Sequence, residues 1–309
     1  MRSSVRNGVV GATLSLAILA TACGSGDGTG DAIEGPTITI GAQDFGESAI
    51  LAEIYSQALA DGGYTTEVQS LAGFRDLEIE AFDAGEINFA PEYAASMLEF
   101  LNDFAGEASG DAAATTELLQ ARLDEIGLQA LEVSDAIDTN AFVVTPETSE
   151  EFGITSLSDL AENGADLTLG GPPDCETNPF CIPGLQDVYG VDLSANFTPL
   201  DAGQVTVQAL ESGEIDIAIL FSTSGIIADK GWLLLEDDQS MLAADNVVPV
   251  VTTEVAEAYG QEFADLVNAV SAELTTADLT EMNRKFDIEQ QDPGDIATEW
   301  LTEKGLIES

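Results

Sequence analysis

Histidine is absent from the 309 residues, and lysine plus arginine number 8 against 57 aspartates and glutamates. Without histidine there is no Ser-His-Asp or Cys-His nucleophile, no histidine general base and no histidine-ligated zinc. A net charge of −49 argues against nucleic acid as a partner, because phosphates need clustered cations. The same charge keeps a chain soluble by self-repulsion and suits saline surroundings, where screening relieves that repulsion. Aromatic residues make up only 6% of the chain, so a ring at a strand end carries information. The cysteines are Cys23, Cys175 and Cys181. Gly170-Gly171 lacks the Gly-Lys-Ser/Thr of a phosphate loop, and neither metal nor cofactor is expected. What is abundant is apolar: 45% hydrophobic residues over this length can bury the cores of two domains.

Residues 1–22 read as an export signal. Arg2 and Arg6 precede an apolar run from Val9 to Ala20, too short for a membrane span and of signal-peptide length. Ala20, Thr21 and Ala22 lead into Cys23, which resembles a bacterial lipoprotein cleavage and lipidation site, with Leu19 one place earlier than usual. Residues 23–36, rich in Gly and Asp, read as a lipidated tether. The expected location is extracytoplasmic, at the membrane. An exported chain sits in an oxidising compartment, so Cys175 and Cys181 are expected to form a disulfide.

Beyond the tether, strand and helix alternate. Strands are expected at Thr37–Gly41, Thr65–Leu71, Ile87–Ala90, Leu167–Leu169 and Ile215–Leu220. Helices are expected over Glu47–Asp61, 75–84, 204–211, 254–274, 277–286 and 294–304. This alternation predicts an α/β class with a largely parallel sheet. One internal match is specific: Ala84-Gly85-Glu86-Ile87-Asn88-Phe89-Ala90 against Ser212-Gly213-Glu214-Ile215-Asp216-Ile217-Ala218. Eight residues past each glycine stand Tyr93 and Phe221. Ligands of open α/β sheets bind outside the carboxyl ends of strands. Tyr93 and Phe221 are therefore candidates to face each other across a cleft, or else core aromatics.

The segments IGAQDFGESAILAEIYSQAL, GEINFAPEY and GEIDIAILFSTSG resemble the substrate-binding proteins of osmoprotectant ABC importers, the glycine betaine, choline and carnitine binders. GGPPDC…CIPGLQDVYGV and PLDAG resemble a subgroup carrying the cysteine pair. The resemblance implies a periplasmic-binding-protein fold (type II-like) with an interlobe cleft. Lobe I would hold 37–140 plus 247–309 and lobe II 141–246, with hinge crossings near Asn140-Ala141 and Asn246-Val247. It also implies a permease as partner and no enzymatic activity. A quaternary ammonium has no N–H to donate and is held by ring faces. By resemblance, Tyr93 of Pro91-Glu92-Tyr93 and Phe221 of Phe221-Ser222-Thr223 are walls, with Phe45, Phe180 and the Asn140 position nearby. Ser96, Gln43, Ser222 and Thr223 would serve the ligand's polar end. Gln43 stands where many betaine binders have lysine, and Glu176-Thr177-Asn178 where some have arginine, which tilts the reading toward choline.

A desolvated cation–π contact is worth about 2 kcal/mol, while micromolar binding needs about −8.2 kcal/mol. Two rings fall short. Further rings or a carboxylate such as Asp44 or Asp201 must contribute. Trp232 and Trp300 read as core anchors. Two alternatives remain: an amino-acid binder using Arg75, and an exported carboxylate-pair hydrolase.

Overall fold

A computed structural model describes residues 33–200 and 203–308; Cys23 and Asp201 lie outside the described residues. Among the described residues, ten strands form two sheets. They are β1 (Ile38–Ala42), β2 (Thr66–Ser70), β3 (Phe89–Tyr93), β4 (Leu128–Ala130), β5 (Asn140–Val144), β6 (Leu169–Gly171), β7 (Phe197–Pro199), β8 (Ile217–Phe221), β9 (Leu233–Leu234) and β10 (Val247–Thr252). The first sheet runs β2-β1-β3-β10-β4 and the second β7-β6-β8-β5-β9. Each sheet has three parallel strands followed by one antiparallel strand.

The sheets are therefore mixed rather than largely parallel. The antiparallel members, β10 and β5, are the strands by which the chain enters each sheet from the other. Upstream of them the two crossing segments pair. Val247 N–H donates to Ala136 at 3.0 Å, and Asp138 N–H donates to Asp245 O at 3.1 Å. This ribbon is continuous with both sheets, because Tyr93 is in register with Val247 and Phe221 with Asn140.

The internal repeat is physical. Gly85 and Gly213 both end helices with φ near +70° (70° and 73°), the left-handed conformation that favours glycine. The polar residue of each unit then ties the next strand to its neighbour. Asn88 Oδ1 accepts from Thr39 N–H at 2.9 Å, and Asp216 Oδ2 accepts from Thr168 N–H at 2.8 Å. Strands β3 and β8 start two residues later than the sequence suggests, so Tyr93 and Phe221 are their last residues rather than loop residues.

Helix Gly46–Asp61 buries Ile50, Leu51, Ile54, Ala58 and Leu59 completely or nearly so in the first core, which also holds Trp300. Trp232 packs against the second lobe's core. The expected helix over 254–274 is two, Thr253–Tyr259 and Gln261–Glu273, because Gly260 adopts φ 69°, ψ −150° and breaks the run. Helix Thr276–Asp287 touches both halves. A Cβ at Gly225, the first residue of helix Gly225–Lys230, would lie 2.7 Å from Arg284 Cα. Only glycine permits that approach.

Candidate functional site

The C-terminal ends of β1, β3 and β8 meet at a cavity of about 420 Å³. Its aromatic lining includes Phe45, Phe74, Tyr93, Phe180 and Phe221. Phe45, the residue before helix Gly46–Asp61, is central. Its ring centroid is 6.2 Å from Tyr93, 6.0 Å from Phe221 and 6.3 Å from Phe74. Tyr93 and Phe221 are thus joined through Phe45 as neighbouring walls. A smaller compartment of about 200 Å³ shares Phe45, Phe221 and Asp138 with the first and adds Glu47, Thr223 and Asn283.

Beneath the rings lies a layer of buried carboxyl groups. Glu47 accepts from Tyr93 Oη at 2.6 Å, Thr223 Oγ1 at 2.7 Å and Asn283 Nδ2 at 2.5 Å. Burial pushes its pKa up, partly offset by those donors. Asp138 Oδ1 accepts from Ser222 Oγ and Thr223 N–H, both at 3.1 Å. Burial, then the nearby Glu47 charge, holds Asp138 well above the usual carboxylate range. Asp245 caps helix Ala94–Leu101 through Ala95 N–H and Ser96 N–H, and burial pushes it up to about 6.

Arg75 donates from Nε and Nη2 to the two oxygens of Glu92, both at 2.7 Å. Burial opposes the Glu92 charge, but this guanidinium outweighs it and holds the pKa low. Glu78 beside it goes the other way, raised well above the usual range by burial and by the Glu92 charge.

The cavity brings together Gln43, Phe45, Tyr93, Ser96, Asn140, Phe180 and Phe221. Thr223 lines the smaller compartment, and Ser222 is among the lining residues of neither. The polar residues differ from expectation in what they can offer. Gln43 donates its amide to Glu78 at 3.1 Å and Glu92 at 3.0 Å. Ser96 Oγ donates to Asp245, Ser222 Oγ to Asp138 and Thr223 Oγ1 to Glu47. Each donor expected to serve a ligand is committed to a carboxylate, so these side chains present acceptors. Asn140 Nδ2 reaches the Phe180 carbonyl at 3.3 Å. That carbonyl belongs to the loop closed by the Cys175–Cys181 disulfide, and Cys175 itself lines the cavity. Asp44 lines only the smaller compartment.

Sequence reasoning missed Glu47, Asp138, Asp245 and Phe74. An acid in a helix's first turn, as Glu47 is, ordinarily reads as a solvated partner of the helix dipole. Asp138 and Asp245 lie on the crossing ribbon, whose pairing no local pattern reveals. Phe74 did carry a signal, a ring between Gly73 and a helix start.

A family profile described as the substrate binding domain of ABC-type glycine betaine transport systems matches residues 36–303. A glycine-betaine-binding protein of Pseudomonas aeruginosa is 30% identical over 283 residues, covering 88% of this chain and 89% of the relative. The glycine betaine-binding protein YehZ of Escherichia coli is 24% identical, covering 87% and 90%. Among solved structures, a glycine betaine/carnitine/choline ABC transporter protein superposes with a TM-score of 0.72 at 22% identity, covering 88% of this chain and 100% of that one. A choline-binding protein in complex with choline superposes at 0.62 and 13% identity, covering 87% and 89%. These likenesses show the two-lobed periplasmic-binding-protein fold.

Proposed function

The chain belongs to the family of substrate-binding domains of ABC-type glycine betaine transport systems, and from that premise we propose that its aromatic cleft captures a quaternary ammonium osmolyte and delivers it to the importer's permease. It is a transport component rather than an enzyme family member. The observation that supports the cleft as the site is the ring set. Phe45 bridges Tyr93 at the end of β3 and Phe221 at the end of β8, one from each sheet. Phe74 and Phe180 are further rings of the lining. With about 2 kcal/mol per desolvated ring contact, this set supplies what two rings alone cannot.

The polar end of the ligand meets acceptors: the Gln43 carbonyl, Ser96 Oγ and the carboxylates. A hydroxyl that donates, as in choline, suits them. A ligand carboxylate has one cationic partner in the lining, Arg75, already held by Glu92. Choline is therefore expected to bind more tightly than glycine betaine or carnitine. Calorimetric titration with choline, glycine betaine, carnitine, proline and amino acids checks this. Tighter binding of an amino acid than of every quaternary ammonium would contradict it.

The ribbon of 136–140 and 245–247 is the hinge in this reading, with 37–140 plus 247–309 moving against 141–246. Export and lipidation at Cys23 would hold the protein outside the cytoplasmic membrane. No helix among the described residues is long and apolar enough to cross a membrane. Cys23→Ser is expected to move the protein from the membrane fraction to the medium. Unchanged retention would rule lipidation out.

A further inference from the structure

The Asp138–Glu47 pair beneath the rings is left unused by ring-face recognition alone. Asp138 is 5% exposed, as is Glu47. Thr223 joins the two carboxyl groups, its N–H donating to Asp138 Oδ1 at 3.1 Å and its Oγ1 to Glu47 at 2.7 Å, and both acids line the smaller compartment. Two buried carboxyl groups held this way resist ionising together. Glu47 already receives three donors, from Tyr93, Thr223 and Asn283. Asp138 receives its two donors on a single oxygen, Oδ1. Glu47, with three donors, is the better-stabilised anion, and Asp138 is the carboxyl group that holds the proton. Asp138 also lines the cavity walled by Phe45, Tyr93 and Phe221, so a cation seated against those rings lies beside it.

We propose that Asp138 is the counter-ion of the bound ammonium, and that capture of the ligand expels to solvent the proton Asp138 holds in the empty cleft. The proposal rests on the quaternary-ammonium reading above and specifies the charge chemistry of that same site.

The surrounding groups leave no other means of neutralising the new charge. Glu47 faces Asp138 from helix Gly46–Asp61, with Tyr93 and Glu92 on β3 and Asp245 on the opposite strand of the ribbon. Asp44 and Asp287 line the smaller compartment that Asp138 shares, with Asn283. The chain has no histidine. Arg75, the cation of the cavity lining, is held bidentate by Glu92. In the empty cleft a proton keeps Asp138 neutral. In the loaded cleft the ammonium takes over that task, because a fixed positive charge favours the ionised carboxyl.

The sign follows from the raised pKa of Asp138. Below it the proton must be displaced, so affinity falls as pH falls, by up to about tenfold per pH unit. Above it the carboxylate is already free and affinity levels off. A ligand of the same shape without charge gains nothing from either state.

Calorimetry with choline and its neutral isostere 3,3-dimethylbutan-1-ol, in buffers of differing ionisation enthalpy and over a pH series from mildly acidic to mildly alkaline, tests this on the full protein. Choline binding is expected to release up to one proton, and the isostere none. Asp138→Asn is expected to abolish the release and lower the choline-to-isostere affinity ratio about tenfold or more. Choline binding with no proton release and no loss of affinity toward low pH anywhere in that series would overturn the proposal while leaving the transport reading intact. An unchanged ratio in a folded Asp138→Asn protein would overturn it equally. Should that variant not fold, the wild-type proton count decides alone. Failure of wild-type protein to bind any quaternary ammonium would instead sink the transport reading, and this proposal with it.

Discussion

Tyr93 has two tasks. Its ring is one wall of the cavity, and its hydroxyl donates to Glu47 at 2.6 Å. Phe221 has only the first. Replacing Phe221 by alanine is expected to weaken choline binding by about 1–3 kcal/mol, the scale of one desolvated cation–π contact with its burial. Tyr93→Ala should cost at least as much, because it also deprives a buried carboxylate of a donor. Titration calorimetry checks both, and wild-type affinity in either would remove that ring from the site. Both rings were legible in the sequence, through an internal repeat that the structure shows to be one helix–glycine–strand unit used twice. The carboxyl layer was not. Glu47, Asp138 and Asp245 owe their burial to segments far away in the chain, and an isolated acid in so acidic a sequence looks like surface.

At the scale of elements, the disulfide loop is the part of the wall with least support from regular structure. Pro173–Glu176 and Ile182–Gly184 are short helical turns, and between them Cys175 and Cys181 close six positions of chain. Phe180 sits beside the bond, and its carbonyl accepts from Asn140 at the start of β5. A bond across so short a loop is worth about 2 kcal/mol. Reduction is expected to lower the melting temperature and to weaken choline binding, since Cys175 and Phe180 both line the cavity. Calorimetric scans and titrations with and without reductant measure this, and identical results would mean the loop is held without the bond. Helix and strand positions were largely readable, because apolar periodicity and terminal glycines mark them. The exceptions have two causes, one local and one topological. Gly260 splits a run that periodicity alone joins. The antiparallel placement of β5 and β10 depends on where the chain crosses between sheets.

At the scale of the molecule, the ribbon, helix Thr276–Asp287 and the Glu47 cluster link the two sheets. Asn283 bonds both Glu47 from the first half and Thr223 from the second. Gly225 lies against the Arg284 backbone one residue further on. A cation captured there, as proposed, would touch groups from both halves at once. The large excess of acids is consistent with attracting a cation, although the groups nearest it are buried and individually partnered. A crystal structure grown with choline is the most direct measurement. The account predicts the ammonium against Phe45, Tyr93 and Phe221, beside Asp138, with the hydroxyl toward Gln43 or Ser96. An empty cleft at saturating choline, or choline bound outside these rings, would contradict it.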